Sequence, residues 1–495
     1  MQTPVTDALQ PASSMFGWRG TPLAVALAAA LFAAGCSHTS MRSQDSAAVT
    51  VPAAWSAAQA VPQQQAPEDL ARWWLRFGDT QLTGLIEQAL ASNPSLQSAE
   101  AAVRQARASR DVQAAGLLPN VGASVGANRS RQGNNDARSS YSAGLDASWE
   151  PDWWGERGNR VKAGEASAEA AQASLEGTQV SLAAEVAQTY IELRGLQDRL
   201  RIAEQNLAIQ RQTQQITQWR VQAGLATSLE AEQARQSTSQ TAAQIPALQA
   251  SLAQTRHALS ILTGQPPASL DSALQAVKPV PQPPEDLAMT LPADTLRQRP
   301  DVRAAQYRVE AALATLSAQE VANYPSLRLN GSLGLSALTI GALTNGASVA
   351  ASLAAGLSAT LFDGGANRAQ IRAQNAALDQ AQANYQSTVL TALKEVEDAL
   401  VQLQGDKARL VQLREAESAA RNAWLLAQQR YQSGLIDFQT VLDTQRTLLS
   451  SEDNAASLAA NISTDHIRLY KALGGGWTPQ ASAADNDIST SPAAQ

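Results

Sequence analysis

The 495-residue sequence is poor in aromatic residues, histidine and cysteine, with 4% aromatics, three histidines and one cysteine. One cysteine forms no internal disulfide, and we expect His257 and His466 to lie singly on solvent-facing helix surfaces, which excludes a zinc cluster. The net charge is −7, and lysine and arginine are mixed with acidic residues, so nothing indicates nucleic-acid binding. No glycine-rich phosphate loop or nucleophile elbow is present. The sequence therefore predicts neither an enzyme nor a site for a cofactor or metal.

The single cysteine, Cys36, directly follows the apolar segment 21–35, which ends in the small residues AAG. Such a segment predicts a signal peptide over residues 1–35, because it is short for a membrane-spanning helix. The residues before Cys36 resemble a bacterial lipobox, which implies that Cys36 is lipidated and becomes the new N-terminus. Ser37 follows it, where an aspartate would indicate retention in the inner membrane. Translation from Met1 and from Met15 are both compatible with this segment.

An internal repeat with a constant offset of 210 positions organises most of the chain. A constant offset over such a distance predicts two copies of one structural unit without insertions between the matched points. The matched pairs are Val186 and Val396, Leu193 and Leu403, Leu200 and Leu410, Arg220 and Arg430, Gly224 and Gly434, and Gly264 and Gly474.

The repeat divides the chain into six segments. Serine, alanine, glutamine and proline dominate the segment after the cysteine, which predicts a flexible tether. The predicted segments are the signal peptide 1–35, the lipid-anchored tether 36–68, the first copy 69–264, a proline-rich connector 265–293, the second copy 294–476, and a disordered C-terminal tail 477–495.

Each copy changes its hydrophobic period twice, from helix to strands and back to helix. The first helix is expected to run from Leu82 to about Gly116 in copy one. Strand pairs are predicted over 120–149 and 326–361, and helical hairpins over 156–264 and 364–474. Apolar residues in the hairpins step by three and four, as in coiled coils. A proline-free helix from about 156 to 222 is on the order of 100 Å long.

Within the second hairpin arm of copy one, Pro246 is expected to kink the helix or to displace its first turn. Glycine and serine occupy many alternate positions of the predicted strands. That pattern fits a sheet between water and an apolar medium, and equally an antiparallel sheet over a soluble core. If the strands face lipid, their four-stranded sheet has open edges that lipid does not tolerate. Three chains then close a barrel of 12 strands.

Several motifs flank these elements: SWEPD at 148–152 followed by Trp154 and Gly155, LFDGG at 361–365, RYQSG at 430–434 and LDTQR at 442–446. Together with the repeat, they resemble the outer-membrane factor family of TolC and OprM type, in its lipidated branch, over about Trp73 to Trp477. The resemblance implies a fold that combines a membrane β-barrel with an α-helical barrel. A homotrimer forms one 12-stranded barrel, a periplasmic tunnel of coiled-coil helices and an equatorial belt.

The resemblance also implies where the duct closes and where a partner docks. Asp443 is expected to project into the lumen as a three-fold ring that repels itself and favours cations, while Tyr431 and Arg446 join polar links between neighbouring helices. Gln439 stands where relatives often carry an apolar gate residue. An exposed i, i+3 pair between Asp443 and Arg446 is the alternative. The expected adaptor-docking tips are Gly224, Leu225, Ala226, Thr227, Gly434, Leu435 and Ile436.

The function implied is that of a passive exit duct in a tripartite efflux or export system, lipid-anchored in the outer membrane and extending into the periplasm. Its expected partners are outer-membrane lipid, a periplasmic adaptor and an inner-membrane pump of the resistance-nodulation-division type. The alternative is a periplasmic coiled-coil structural or adaptor lipoprotein without a pore. The exported substrate stays open, because a wide duct lined by small polar residues selects little.

Overall fold

The computed structural model describes residue 55, residues 70–131, residue 133, residues 136–284 and residues 296–477. The predicted signal peptide, most of the tether, part of the connector and the tail lie outside the described residues. None of the helices in the described ranges combines the length and the hydrophobicity of a membrane span. The elements are α1 (Thr80–Ser92), α2 (Pro94–Ala115), β1 (Asn120–Ser130), β2 (Arg138–Trp149), α3 (Glu156–Gln222), α4 (Ser228–Leu262), α5 (Pro300–Val321), β3 (Ser326–Ala337), β4 (Val349–Ser358), α6 (Ala366–Gln432) and α7 (Phe438–Ala472).

The two copies of the repeat have matching helices. Helices α3 and α6 contain 67 residues each, and α4 and α7 contain 35 each. Helices α2 and α5 contain 22 residues each. The first residues of α3 and α6, Glu156 and Ala366, differ by the 210 positions of the sequence repeat. Both copies thus build these three helices from the same lengths of chain, whereas their strands differ by one or two residues.

The expected single helix from Leu82 to about Gly116 is wrong, because Pro94 divides it into α1 and α2. Proline lacks the amide hydrogen of a helix interior and disfavours helical conformation at the residue before it. Asn93 is accordingly extended, and its side chain accepts a hydrogen bond from the Ser95 amide at 2.8 Å. Pro300 begins α5 in the same way in the second copy.

Helix α4 runs without interruption from Ser228 to Leu262 and contains Pro246 in its interior. The predicted displacement of its first turn is therefore wrong. Thr227 fixes the helix start by a capping box, in which its hydroxyl accepts from the Glu230 amide and the Glu230 carboxylate accepts from the Thr227 amide. This reciprocal cap satisfies two amide groups of the first turn.

The helices pack side by side in two levels. Near the sheet, α3 contacts α2 and α5, and α5 contacts α6. Toward the hairpin turns, α3 contacts α4 and α7, and α7 contacts α6. The main hydrophobic core lies between these levels, where the ring of Trp73 stacks on Tyr470 with centroids 5.4 Å apart.

A buried polar cluster fastens α3 to α1 and to the start of the connector. The Arg194 guanidinium is fully buried and donates to the side chains of Gln81 and Gln197 and to the Ala276 carbonyl, over 2.6 to 2.7 Å. The Tyr190 hydroxyl donates to Asp79 at 2.8 Å and accepts from Arg194. Burial raises the pKa of Tyr190 above its ordinary range; the hydrogen bond from Arg194 opposes this rise, and the hydrogen bond to Asp79 adds to it.

Candidate functional site

The four strands form one antiparallel sheet in the order β1-β2-β3-β4. In this sheet Val125 lies opposite Ala143, Ala143 opposite Leu335, and Leu335 opposite Val349. Because side chains alternate between faces along a strand, the odd-numbered positions of all four strands share one face. That face carries Val121, Ala123, Val125, Ala127, Arg129, Ser139, Tyr141, Ala143, Leu145, Ala147, Trp149, Leu327, Leu329, Gly331, Leu333, Leu335, Ala337, Val349, Ala351, Leu353, Ala355 and Leu357.

The even-numbered positions form a face of small and polar residues. Ser332 and Ser352 hydrogen bond across β3 and β4 at 2.8 Å, and the Ser124 hydroxyl donates to Asp146 at 3.1 Å. The face comprises Asn120, Gly122, Ser124, Gly126, Asn128, Ser130, Arg138, Ser140, Ser142, Gly144, Asp146, Ser148, Ser326, Arg328, Asn330, Ser332, Gly334, Ser336, Ala350, Ser352, Ala354, Gly356 and Ser358.

Within the described residues, no helix or loop covers the apolar face. Val125 is 89% exposed and Leu353 is 86% exposed. An antiparallel sheet over a soluble core buries its apolar side. The exposure of these apolar side chains therefore argues against a sheet over a soluble core, which was one of the two interpretations that the strand pattern left open. A contiguous exposed apolar surface indicates contact with a membrane or another protein.

Aromatic side chains gather where the strands meet the helices. The Trp149 indole donates to the Leu117 carbonyl at 2.9 Å, and the Trp154 indole donates to the Pro325 carbonyl at 2.8 Å. The ring of Trp154 meets Tyr324 edge-on, 5.2 Å between centroids. Trp153 and Phe362, in the segments that follow β2 and β4, are exposed. Tryptophan and tyrosine prefer the boundary between a membrane and water, and this belt was not inferred from the sequence.

The two hairpin turns have the same geometry. Gly224 and Gly434 adopt positive φ angles of 72° and 71°, which only glycine accepts readily. Leu225 and Leu435 follow them with 69% and 72% exposure. Each turn thus presents a leucine side chain at the end of the helical hairpin. Ala226 and Ile436 are half-buried in equivalent places, and Thr227 is exposed.

The structure brings three of the four expected aperture residues together. The Asp443 carboxylate accepts a hydrogen bond from the side-chain amide of Gln439 at 3.0 Å and another from the Arg446 guanidinium at 3.2 Å. All three are exposed. Within one chain, Asp443 therefore forms the i, i+3 pair with Arg446 that was the alternative to a lumen ring.

Tyr431 lies elsewhere, against Arg220 and Phe438. The Arg220 guanidinium is 4.7 Å from the centre of the Tyr431 ring, and the Phe438 ring is 5.3 Å away. The Tyr431 hydroxyl is buried without a hydrogen-bond partner in the described residues, and this burial raises its pKa, with a further contribution from Glu230. Arg220 was missed as a site residue, although its place in the repeat singled it out.

No group of three histidine, cysteine, aspartate or glutamate side chains in the described ranges is arranged to hold a metal ion. The expectation that His466 faces solvent is wrong, since it is 2% exposed. Burial, and then the charges of Lys407 and Arg76, lower its pKa to about 4. His466 is buried because α7 packs against both α3 and α6. His257 is half-buried, and Cys36 lies outside the described residues.

Comparison with known proteins places the chain in a family. A family model described as "Outer membrane efflux protein" matches residues 85–265 and 291–475. The pyoverdine export outer membrane protein OpmQ of Pseudomonas putida is 33% identical over 442 residues, covering 87% of this chain and 93% of that protein. The outer membrane protein OprJ of Pseudomonas aeruginosa is 31% identical over 442 residues, covering 87% and 91%.

The fold is also shared with solved structures. The outer-membrane channel OprN superposes with a TM-score of 0.81 at 34% identity, covering 86% of this chain and 97% of that chain. The resemblance drawn from the sequence motifs is thereby confirmed. The two ranges that the family model matches span most of the chain, one in each copy of the repeat. The protein belongs to the outer membrane efflux protein family.

Proposed function

We propose that this chain forms, as a homotrimer, the outer-membrane exit duct of a tripartite efflux or export system. Each chain contributes its four strands to one barrel of 12 strands, and its hairpins to a periplasmic tunnel. The duct is a passive conduit without catalytic residues, and it opens when an adaptor docks at the hairpin tips. The observation that carries this proposal is the sheet with one exposed apolar face and one polar face.

The edges of the sheet supply the reason for a trimer. Strands β1 and β4 are each paired on one side only, and an open edge cannot stand in lipid because its backbone groups lack partners there. Pairing β4 of one chain with β1 of the next removes every edge. Three chains with four strands each give the even number of strands that such barrels have.

The apolar face has the height of a membrane. Leu327 and Ala337 bound this face on β3 and are ten positions apart. At about 3.3 Å per residue and a strand tilt of about 40°, they span about 25 Å across the membrane, which matches the apolar band of membrane barrels. Trp149 is paired with Leu329 and so lies at the helical end of the band.

Orientation follows from the connections. The sheet joins helices at one end; at the other end the chain connects β1 to β2 and β3 to β4. Helices of 67 residues extend on the order of 100 Å, a length that suits the periplasm. We place these connections outside the cell, and we propose that Cys36 carries a lipid that anchors the chain in the outer membrane.

The hairpin tips suit an adaptor. Leu225 and Leu435 expose apolar side chains at the ends of the two hairpins, and exposed apolar residues in a repeated arrangement fit a partner that approaches all tips alike. Energy for export comes from an inner-membrane pump, which we assign to the resistance-nodulation-division type. The names of the relatives OpmQ and CusC include pyoverdine export and cation efflux, and the substrate of this chain is left open.

A periplasmic coiled-coil lipoprotein without a pore is the competing function. Such a lipoprotein would account for the helices and the anchor, but the exposed apolar face of its sheet would lie in water. Purification from outer-membrane fractions tests the choice. We expect a trimer band that converts to monomer on heating, and discrete conductance steps in planar bilayers. A chain that fractionates as a soluble monomer and conducts no ions refutes the proposed duct.

A further inference from the structure

Arg129 is the single charged residue on the apolar face among the described strand residues. It is paired with Ser139 across the hairpin, and Ser139 lies two positions beyond Tyr141, which pairs with Ala337 at the end of the band. The guanidinium thus lies just past the apolar band, at the end that is remote from the helices. Under the proposed function, this level is the headgroup region of the outer leaflet.

None of the described residues supplies a counterion for this charge. Arg129 is exposed, and its side chain forms no ion pair or hydrogen bond with any of them. A cation on the lipid face is costly at the midplane and costs little near the boundary, where its side chain reaches the headgroups. Arginine presents a planar fork of donors that matches phosphate oxygens. The position therefore favours an anionic phosphate partner supplied by the membrane.

A shallow apolar groove lies on the same face, deeper in the band. Ala143 lies between the larger side chains of Val125, Leu333 and Leu335, so that the surface dips at the alanine. Val125 precedes Arg129 by four positions on β1, or about 13 Å along the strand in the direction of the midplane. An acyl chain in this groove places its headgroup at the level of Arg129.

We propose that Arg129, assisted by Arg131, binds the phosphate groups of a lipopolysaccharide whose acyl chain lies in this groove. Two exposed arginines two positions apart suit a headgroup with two phosphates better than the single phosphate of a glycerophospholipid, because each guanidinium pairs with one phosphate. The proposal rests on the proposed function, which places this end of the sheet outside.

The hairpin offers a matched control. Arg138 is paired with Ser130, next to the pair of Arg129 and Ser139. It lies at the same height but on the polar face. If these arginines act only as positive charges at the mouth of the duct, substitution of either one has the same effect. If Arg129 binds lipid on the outer wall, its substitution weakens lipid binding and that of Arg138 does not.

The test uses the purified full-length trimer in nanodiscs of phosphatidylcholine that contain either bisphosphorylated lipid A or phosphatidylglycerol at equal charge. Bound lipid is measured by native mass spectrometry.

We expect Arg129→Gln to weaken lipid A binding about tenfold, the effect of losing a charge-assisted hydrogen bond. Arg129→Lys, which keeps the charge but loses the fork, gives a partial loss, and Arg138→Gln binds as wild type. Inorganic phosphate does not displace the lipid, because the acyl chain contributes to binding.

Equal binding by wild type and Arg129→Gln overturns the lipid site, as does an equal loss in Arg138→Gln, a preference for phosphatidylglycerol, or displacement by inorganic phosphate. Conductance and trimer bands of Arg129→Gln stay those of wild type, which shows that the variant folds. If wild type forms neither trimer nor channel, the proposed function itself fails, and the lipid site with it. The two failures are therefore separate observations.

Discussion

Asp443 illustrates how the role of one residue depends on its copies in the assembly. In one chain it forms an exposed i, i+3 pair with Arg446, and such a pair contributes a few tenths of a kcal/mol, about 0.3 to 0.5. In the trimer that we propose, we expect three Asp443 carboxylates to surround the axis, to repel one another and to attract cations. We expect Asp443→Ala to raise single-channel conductance and to abolish block by divalent cations.

A suitable control is Asp198→Ala, which removes another i, i+3 pair, between a partly exposed aspartate and Arg201 on α3. It leaves conductance and block unchanged, because Asp198 is remote from the tips. Unchanged current and unchanged block in Asp443→Ala remove the lumen ring and leave the surface pair as its whole role.

Asp465 on α7 couples stability to pH. It is 1% exposed, and burial, opposed by Arg468 and reinforced by Asp406 on α6, raises its pKa to about 6. The folded state holds this proton at pH values where an unfolded aspartate, with a pKa near 3.8, has released it. The stabilising contribution is complete below about pH 4 and is lost as pH rises to about 6, with a slope of at most about 1.4 kcal/mol per pH unit.

Urea unfolding of the purified protein in detergent, followed by circular dichroism from pH 4 to pH 7, measures this slope. Asp465→Asn carries an amide in place of the protonated carboxyl, and we expect its unfolding free energy to lose this fall between pH 4 and pH 6. Asp198→Asn, at a carboxylate whose side chain is 35% exposed, keeps the wild-type profile. A profile of Asp465→Asn identical to wild type contradicts the assignment.

Burial of single polar residues is the part that sequence could not supply. The carbonyl and side-chain partners of Arg194 include Gln81 and Ala276, which are 113 and 82 positions away. Such contacts depend on tertiary packing, which local periodicity does not encode. His466 lies four positions after Ile462 and three before Leu469, on the buried stripe of α7, and it was expected in solvent because its polar side chain was given more weight than this spacing.

At the level of elements, the repeat predicted most of the architecture. The strand pairs and the two hairpins lie where alternation and three-and-four stepping placed them. The break at Asn93 was missed because the apolar spacing continues across Pro94, and the uninterrupted start of α4 was missed because Pro246 was given too much weight. Pairing of β2 with β3, which makes one sheet from two copies, joins residues that no local pattern connects.

The alternation of the sheet predicts opposite effects of one substitution at neighbouring positions. Leu333→Lys places a charge on the apolar face, at a cost of about 2 to 4 kcal/mol at membrane depth. Ser332→Lys places the same charge on the polar face, where water solvates it. We expect the heat-resistant trimer to decrease in Leu333→Lys and to persist in Ser332→Lys, as measured by gel migration of outer-membrane fractions. Equal trimer levels in both variants contradict the assignment of faces.

For the whole molecule, composition and periodicity left two architectures open, a membrane sheet and a sheet over a soluble core. Both alternate in the same way along a strand, so no strand pattern separates them. Exposure of Val125 and Leu353, together with family membership, favours the membrane. The proposed duct, trimer and lipid contact all depend on the sheet lying in the membrane.

Collision of spin labels with two quenchers measures this placement directly. The chain has one native cysteine, so single labels at Ser332→Cys and Leu333→Cys in reconstituted trimers are specific once Cys36 is lipidated or replaced. We predict that Leu333 labels collide mainly with oxygen dissolved in lipid, and Ser332 labels mainly with a water-soluble nickel chelate. Equal access of the chelate to both positions contradicts a sheet with one face in the membrane and one facing the lumen.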